Sequence, residues 1–414
     1  MRFLFLQGGY SSFFNRVADG LLARGHSVVG INFCAGDRWL WRGKEAVNYR
    51  GRLSDWPAFI EGFLEQQEIT DVILLGEQRD YHKQAVAAAK RLGIRVVATD
   101  FGYLRPDWLT LERDGMGGNS HFPREPGKLL DYARDLPPLE RNVKYTDRFW
   151  DMAVGDLVYS FANVLFWFLF PRYRRSDHRA HPLRYFPALG WRLLFAGRRD
   201  KQADRVLSQL QDWGGEYFLF PMQLEHDFQI QAYSPFGTMD EAVIATLNSF
   251  AENAPANTRL LFKVHPWDPG FKNWRPRIEA RASALGLAER VLIVDGGSLD
   301  RMISAAKGLV TVNSTSAIQA LRAGCPVVCL GEAIFDTPGL SHQKGLDSFW
   351  LDPLCPEQRL VDAFERLLAG TTQFRGVFYS EPGLTAAVEE AVRRLDAPRQ
   401  RAAPWHQVGG CAAE

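Results

Sequence analysis

The chain has 414 residues, a length at which one hydrophobic core rarely suffices, so two domains are expected. Its 49 Lys and Arg residues nearly balance its 48 Asp and Glu residues, which excludes a strongly basic nucleic-acid binder, and no nucleic-acid partner is predicted. The five cysteines form neither a CxxC pair nor a His-containing cluster at zinc spacing. We therefore expect a reducing compartment, without a disulfide framework or a structural metal.

The apolar N-terminus, MRFLFLQGGYSSFF, is interpreted as a strand and not as a signal peptide, because the run breaks at Gln7-Gly8-Gly9. The best candidate for a membrane span, at 158–170, is shorter than the ~20 residues that a bilayer core requires. The expectation is a cytoplasmic protein that contacts a membrane peripherally.

Short apolar runs alternate with amphipathic helical patterns in the first hundred residues. The predicted strands lie at 3–6, 27–33, 71–75 and 95–99, and the predicted helices at 14–23, 55–66 and 81–92. This alternation is typical of βαβ units around a parallel sheet, in which ligands bind beyond the carboxyl ends of the strands. The loops at 7–9, 76–79 and 100–103 are therefore expected at one rim.

The alternation stops at 107–135, which is rich in Gly, Pro and polar residues, and a long aromatic helical segment without an evident strand follows at 146–204. A second alternating series begins at Tyr217. Its predicted strands lie at 217–222, 258–264, 291–294, 308–312 and 326–330, and its predicted helices at 239–251, 277–285, 298–306, 316–323 and 357–369.

Two such series predict an α/β fold class of the GT-B kind, in which two Rossmann-like domains enclose a donor-binding cleft. The predicted boundaries are 1–145 for an acceptor-side domain, 146–205 for a helical, aromatic and basic connector, 206–396 for a donor-binding domain and 397–414 for a disordered tail.

The strand at 217–222 runs into PMQLEHDFQI, where Gln223, Glu225 and Asp227 alternate. If the extended conformation persists, these side chains share one face and His226 points the other way. Carboxylates at a rim that binds phosphate suit a nucleophile or a base that meets an electrophilic carbon. Taken alone, the segment is more typical of an N-cap network for the next helix.

Two further loops of the second half favour phosphate binding. In LFKVHPWDPG, Lys263 and His265 follow a strand, although a capped strand with a solvated Lys and a structural His explains them equally well. In VTVNSTSAIQALRAGCPVV, the residues Asn313, Ser314, Thr315 and Ser316 open a helix that also carries Gln319. An ordinary N-cap explains one hydroxyl but not this run of polar residues, so an anion site is favoured.

An acceptor-binding set is predicted in the first half. The string TDFGYLRPDWLTLE offers Asp100 as an acid or base, and Arg105 as a partner for phosphate or carboxylate. The predicted acceptor-binding residues are Gln7, Arg79, Tyr103, Arg105 and Glu112. The alternative is that these residues form salt bridges within a loop. On this segment alone, that alternative is favoured.

The connector places a dense aromatic run beside several arginines, in VYSFANVLFWFLFPRYRRSDHRAHPLRYF. This combination suits a membrane interface, with Arg172, Arg174 and Arg175 as contacts for anionic lipid. A buried interdomain helix with a basic exit is an equal alternative. Nucleic acid is a weaker interpretation, because the aromatic residues are contiguous and not interleaved with basic ones.

Several long strings resemble the capsule polysaccharide biosynthesis and export proteins of the KpsS/LipB type. In order, up to about Gly345, they are LQGGYSSFFNRVADGLLARGHSVVGINFCAGDRWLW, YRGRLSDWPAF, GEQRDYHKQAVAAAKRLGI, FGYLRPDWLTLERDGMGGNS, PMQLEHDFQI, KVHP and NSTSAIQALRAGCPVVCLG. The resemblance implies a membrane-associated, retaining β-Kdo transferase that moves Kdo from CMP-Kdo to a lysophosphatidylglycerol acceptor. This reaction starts the glycolipid linker of the capsule at the inner face of the cytoplasmic membrane, where other capsule proteins are expected partners.

The resemblance also implies roles for particular residues. Asp227 matches the nucleophile, and Asp100 matches a general acid/base, although Asp100-Phe101 replaces an expected pair of carboxylates. The residues implied at the CMP phosphate are Lys263, His265 and 314–316, with Gln223 and Glu225 close to the donor. No DxD-like motif occurs in a rim loop, so no metal cofactor is expected.

Two other functions remain as alternatives. One is a non-catalytic export component that binds finished glycolipid. The other is a nucleotide-sugar epimerase of related fold, which the absence of a GxGxxG loop after the first strand disfavours.

Overall fold

A computed structural model of the protein describes residues 1–175, 179–225 and 227–397. Apart from Ala397, the tail predicted at 397–414 lies outside these residues. His226, which the sequence places on the face opposite Asp227, also lies outside them.

The described residues divide into two compact units, and each has its own sheet. Among the described residues, the first unit contains 1–122, 135–175 and 365–397, and the second contains 123–134, 179–225 and 227–364. The strands are β1 Arg2–Phe5, β2 Ser27–Asn32, β3 Ala46–Asn48, β4 Asp71–Leu75, β5 Arg95–Phe101, β6 Trp108–Arg113, β7 Glu216–Pro221, β8 Thr258–Lys263, β9 Val291–Val294, β10 Gly308–Thr311, β11 Val327–Cys329 and β12 Gln373–Arg375.

Helices connect most of these strands. They are α1 Phe13–Ala23, α2 Ala35–Leu40, α3 Trp56–Gln66, α4 Asp80–Arg91, α5 Pro126–Ala133, α6 Phe149–Leu165, α7 Pro182–Leu194, α8 Ala196–Trp213, α9 Phe228–Tyr233, α10 Met239–Asn253, α11 Trp274–Ala284, α12 Leu299–Ser304, α13 Ser316–Arg322, α14 Leu346–Phe349, α15 Gln358–Gly370 and α16 Gly383–Asp396. Short 3-10 turns lie at Leu53–Asp55, Gly117–Asn119 and Trp167–Leu169.

The sheet of the first unit has the order β12-β6-β5-β4-β1-β2-β3. The strands β1 to β5 are parallel, whereas β6 runs antiparallel to both β5 and β12. Alternate side chains of β1 enter two cores: Phe3 and Phe5 pack on one face, and Leu4 and Leu6 contribute to the other. The parallel part has the Rossmann order, which reverses direction between β1 and β4.

The sheet of the second unit is fully parallel, with the order β11-β10-β7-β8-β9. Its strands are almost continuously apolar because both faces are covered. Phe218, Phe220 and Phe262 are fully buried in one core together with Trp350. This is again the Rossmann order, and its switch point lies between β7 and β10. The predicted α/β class with two Rossmann-like sheets is thus confirmed.

The division of the chain differs from the predicted boundaries at two places. The strand β12 pairs with β6, and α16 packs on α1, so the end of the predicted donor domain belongs to the first unit. The predicted connector is helical, but α6 belongs to the first unit and α7 and α8 to the second. The strand β6 lies where the sequence predicts only a polar stretch.

None of the helices in the described parts of the chain is both long and apolar enough to cross a membrane.

Candidate functional site

The loop after β7 places a carboxylate at the switch point of the second sheet. Asp227 is the N-cap of α9, and its Oδ1 accepts the backbone N–H of Gln229 at 2.9 Å. Its Oδ2 accepts a hydrogen bond from Nε2 of Gln223 at 3.1 Å. These two bonds fix the orientation of the carboxylate, since a short polar side chain at an N-cap satisfies an otherwise unpaired amide.

The amide of Gln223 joins the loops that follow β7 and β10. Its Nε2 also donates to Oδ1 of Asn313 at 2.9 Å, and its Oε1 accepts the N–H of Asn313 at 3.1 Å. Nδ2 of Asn313 donates in turn to the carbonyl of Gln229 at 2.7 Å. Both amide side chains are buried. The structure therefore brings Asp227 and Asn313 together, as expected for two adjacent strand ends.

The extended conformation that would place Gln223, Glu225 and Asp227 on one strand face does not persist, and Asp227 instead takes the N-cap position that the sequence offered as the alternative. The strand β7 ends at Pro221, and the chain turns so that the N–H of Asp227 donates to the carbonyl of Leu224. Glu225 points elsewhere, because its Oε1 accepts a hydrogen bond from Nζ of Lys272 at 2.6 Å. Its other oxygen is buried and has no partner among the described residues.

A buried cation ends the neighbouring strand β8. The side chain of Lys263 is 6% exposed and has no hydrogen bond or ion pair with the described residues. Burial lowers the pKa of Lys263 from its usual value, and the charges of Asp295 and Asp200 oppose that shift. The ammonium group thus ends a mostly buried side chain without a direct protein partner, and it is placed to meet an anionic ligand.

A hydrogen bond from the backbone defines the tautomer of the neutral His265 imidazole. Its Nδ1 accepts the backbone N–H of Trp267 at 3.1 Å, so the neutral ring carries its proton on Nε2. His265 is half-buried in the loop that follows Lys263. In this tautomer, Nε2 is the hydrogen-bond donor of the ring.

The polar loop at 313–316, after β10, offers hydroxyl and amide groups to a ligand. The short helix that follows it adds little through its dipole. The helix α13 has only seven residues, and Oγ of Ser314 accepts the N–H of Ser316 at 3.2 Å and its hydroxyl at 3.0 Å. The side chains of Thr315 and Gln319 make no hydrogen bond with the described residues, and Oε1 of Gln319 is buried. The side chains of Thr315 and Gln319 are thus among the groups of this loop that can donate to a ligand.

Two arginines that the sequence analysis assigned to the connector lie at this rim. Nη2 of Arg192 forms an ion pair with Oδ1 of Asp295 at 2.7 Å, and Arg199 approaches the other oxygen at 3.5 Å. Asp295 follows β9, next to β8 in the sheet. The sequence could have indicated this cluster, because Asp295 and two glycines directly follow the strand predicted at 291–294.

In the first unit, the side chain of Gln7 is buried among hydrogen-bond partners. Its Nε2 donates to the hydroxyl of Tyr159 at 2.6 Å and to Oδ1 of Asp37 at 3.2 Å. The Tyr159 hydroxyl donates to the same oxygen of Asp37 at 2.7 Å. Burial raises the pKa of the Asp37 carboxyl. The Gln7 side chain thereby holds α6 against the end of β1, a structural role that the acceptor-binding prediction did not include.

Asp100 lies between two cations at the ends of β4 and β5. Burial raises its pKa, whereas the charges of Arg79 and Arg105 act in the opposite direction. The guanidinium of Arg105 stacks over the ring of Phe101 at 5.0 Å. Neither guanidinium has a hydrogen bond or ion pair with the described residues, so both remain available to an anionic ligand.

Tyr103 and Glu112 form a buried pair beside this cluster. Burial raises the pKa of Glu112 to about 7, and the charge of Glu77 adds to the increase, whereas the hydrogen bond from Ser120 acts in the opposite direction. Oε1 of Glu112 is buried without a partner among the described residues. The hydroxyl of Tyr103 accepts the N–H of Gly117 at 2.8 Å. Glu112 is therefore placed to exchange a proton near neutral pH.

The three arginines predicted at a membrane follow the aromatic turn after α6. Arg172 and Arg174 are exposed, and Arg175 is half-buried.

Comparison with known proteins identifies the family. Residues 70–379 match the model of the capsule polysaccharide biosynthesis protein family. The chain is 30% identical over 388 residues to the capsule polysaccharide export protein KpsS of Escherichia coli, a match that covers 91% of this chain and 97% of KpsS. It is 31% identical over 391 residues to the capsule polysaccharide modification protein LipB of Neisseria meningitidis serogroup A, with 91% of each chain covered.

A solved structure, the beta Kdo 2,7 transferase of Thermosulfurimonas dismutans KpsC, aligns with 95% of this chain and 99% of its own length, at a TM-score of 0.44 and 14% identity. The resemblance inferred from the sequence strings is confirmed by the family model and by the two curated relatives. The chain belongs to the capsule polysaccharide biosynthesis protein family.

Proposed function

We propose that the protein is a retaining β-Kdo transferase that moves Kdo from CMP-Kdo to a lysophosphatidylglycerol acceptor, as the first step of the capsule glycolipid linker. The observation that carries this proposal is the fixed carboxylate of Asp227 after β7, beside Lys263 at the end of the adjacent strand β8, whose ammonium has no hydrogen bond or ion pair with the described residues. A retaining transfer requires a carboxylate to attack the sugar and cationic or hydrogen-bonding groups to hold the leaving phosphate.

In the proposed reaction, a carboxylate oxygen of Asp227 attacks the anomeric carbon of Kdo, and the bond from that carbon to the CMP phosphate oxygen breaks. Lys263, His265 and the hydroxyls of 314–316 stabilise the departing phosphate. Asp100 then accepts the proton of an acceptor hydroxyl, whose oxygen displaces Asp227 and gives net retention. We propose that Arg79 and Arg105 hold the acceptor phosphate. We also propose that no metal takes part, since Lys263 supplies positive charge to the CMP phosphate when it leaves.

The proposal is tested with purified protein, CMP-Kdo and a fluorescent lysophosphatidylglycerol, in buffer with and without EDTA, by mass spectrometry of the lipid. We expect one added Kdo in both buffers. Asp227→Ala should lower turnover on the order of 10³-fold or more. This variant also loses the cap of α9, at about 1 kcal/mol of stability.

A matched control separates chemistry from capping. Thr238 caps α10 through its Oγ1, which accepts the N–H of Glu241 at 3.3 Å. Thr238→Ala removes a comparable cap away from Asp227 and should keep wild-type turnover. Wild-type turnover in Asp227→Ala contradicts the proposal.

The name of the Escherichia coli relative favours one alternative, a non-catalytic export component that binds the glycolipid. This alternative predicts binding of Kdo-modified lipid by a folded protein that consumes no CMP-Kdo. A wild-type protein that binds the glycolipid but yields no product establishes it.

A further inference from the structure

One face of α6 is apolar and open to solvent. Its residues are spaced by three or four positions, so they form a single stripe along the helix. The stripe consists of Trp150 (72% exposed), Val154 (52%), Val158 (44%), Phe161 (39%) and Leu165 (67%). At 1.5 Å per residue it extends over about 22 Å.

The opposite face of α6 is firmly attached to the first unit. The hydroxyl of Tyr159 lies in the buried cluster with Gln7 and Asp37, and Oδ1 of Asn163 accepts the N–H of Gly36 at 2.7 Å. At Gly155, a Cβ atom would lie 2.7 Å from the carbonyl oxygen of Tyr10, so only glycine permits this close approach. These contacts fix the rotation of α6 about its axis, so the apolar stripe faces solvent.

The apolar surface continues beyond the helix and ends in positive charge. Phe166, Trp167 and Phe168 are 41%, 64% and 59% exposed at the turn that follows α6. Arg172 and Arg174 come next, and their exposed guanidinium groups have no hydrogen bond or ion pair with the described residues.

We infer that this surface, formed by the α6 stripe, residues 166–168 and the two arginines, docks the protein on an anionic lipid bilayer. Exposed aromatic and aliphatic side chains on one helix face match the apolar boundary of a leaflet, and unpaired arginines beside them match lipid phosphates. A protein partner would match the stripe but leave the arginines unexplained. Because its apolar residues lie on one face only, α6 would lie in the plane of the interface. The inference goes beyond the proposed transfer, because docking requires neither donor nor acceptor.

The test is sedimentation of the full chain with vesicles of phosphatidylglycerol and phosphatidylethanolamine, and with vesicles of phosphatidylcholine alone. We expect the wild type to bind the anionic vesicles more tightly and Trp150 and Trp167 fluorescence to shift to shorter wavelength. The double variant Trp150→Glu/Leu165→Glu should bind anionic vesicles at least about tenfold more weakly. Arg172→Glu/Arg174→Glu should lose the preference for anionic lipid.

Leu351 provides the control, because it is a single exposed apolar side chain in the second unit, 63% exposed. Leu351→Glu should bind vesicles like the wild type. A wild type that does not bind, or stripe and arginine variants that both bind unchanged, overturns the inference. So does a dimer in lipid-free solution that the stripe variant dissociates, since it would make a second copy the occupant.

If the stripe variant fails to fold, as shown by circular dichroism, the arginine variant alone decides the outcome. Loss of vesicle binding with normal transfer to a water-soluble acceptor separates docking from the proposed function. Conversely, a chain that binds vesicles but transfers no Kdo leaves docking established and overturns only the transferase.

Discussion

At the scale of single residues, Lys263 has a mostly buried side chain whose ammonium makes no hydrogen bond or ion pair with the described residues. Burial lowers its pKa, so the folded state disfavours its charged form. Lys263→Met should therefore raise the free energy of unfolding by about 1 kcal/mol and, at the same time, abolish CMP binding. Urea denaturation and calorimetric titration with CMP measure the two effects. A variant that is destabilised, or that binds CMP normally, contradicts this expectation.

The lowered pKa of Lys263 also gives a pH dependence. CMP affinity requires the charged amine, so it should decline as pH rises and should do so below the usual titration range of lysine near pH ~10.4. The same titration experiment, repeated across alkaline pH, measures this.

Glu112 should make stability depend on pH near neutrality. Its pKa is about 7 in the folded protein, whereas the unfolded chain titrates near ~4.3. Between these values the folded state binds one more proton, so the free energy of unfolding falls as pH rises from about 4 to about 7, by about 4 kcal/mol at most.

Glu112→Gln should remove this decline and stabilise the protein at pH ~8, as measured by urea denaturation across the pH range. The control is Glu389→Gln on the exposed face of α16, which should retain the wild-type profile. An unchanged profile in Glu112→Gln shows that another group carries the dependence.

The sequence predicted several site residues but not their partners. Asp227 and Asn313 were expected at strand ends, because each follows an apolar run. The hydrogen bonds that join them through Gln223 connect residues 90 positions apart in the chain, which no local pattern reports. Gln7 shows the same limit, since its partner Tyr159 lies 152 positions away in the chain.

At the scale of elements, α16 completes the core of the first unit. Leu384, Ala387, Ala391, Val392 and Leu395 pack into the core that contains Phe3 and Phe5. Leu395→Ala should lower the free energy of unfolding by about 2–5 kcal/mol, because Leu395 is 1% exposed and a cavity remains.

Thermal and urea denaturation measure this change, with Glu389→Ala on the outer face of the same helix as the control. Equal stability of Leu395→Ala and the wild type shows that α16 is dispensable for the first core.

Strands were predicted well where the local apolar pattern is clear. They were missed where the pattern is interrupted and the partner strand lies far away in the chain. The strands β1, β4 and β8 were predicted closely, because both their faces are covered and their apolar runs are uninterrupted. The strand β6 was missed: Thr110 and Glu112 interrupt its apolar pattern, and its partner Gln373 comes more than 260 positions later. The helix α6 was predicted, but the direction of its apolar stripe depends on the contacts of Tyr159.

At the scale of the whole molecule, the two sheets share one strand order, and each has a switch point where polar side chains collect. In the second unit this point holds Asp227 and Asn313. In the first, Gln7 and the loop at 76–79 lie at the ends of β1 and β4. The repeated alternation of strands and helices was sufficient to predict two such units, because it is a local property of each βαβ segment. It was insufficient to predict that the chain returns to the first sheet.

That return has a consequence for the order in which the protein is made. The strand β12 and the helix α16 belong to the first unit, yet they are the last described elements to leave the ribosome. Domains usually fold in the order of synthesis, from the N-terminus onward. Here the second unit has all of its residues by position 364, while the first sheet still lacks an edge strand and a covering helix. The unit that starts the chain is thus the last to be completed, and until then its nascent core depends on contacts that have not yet been translated.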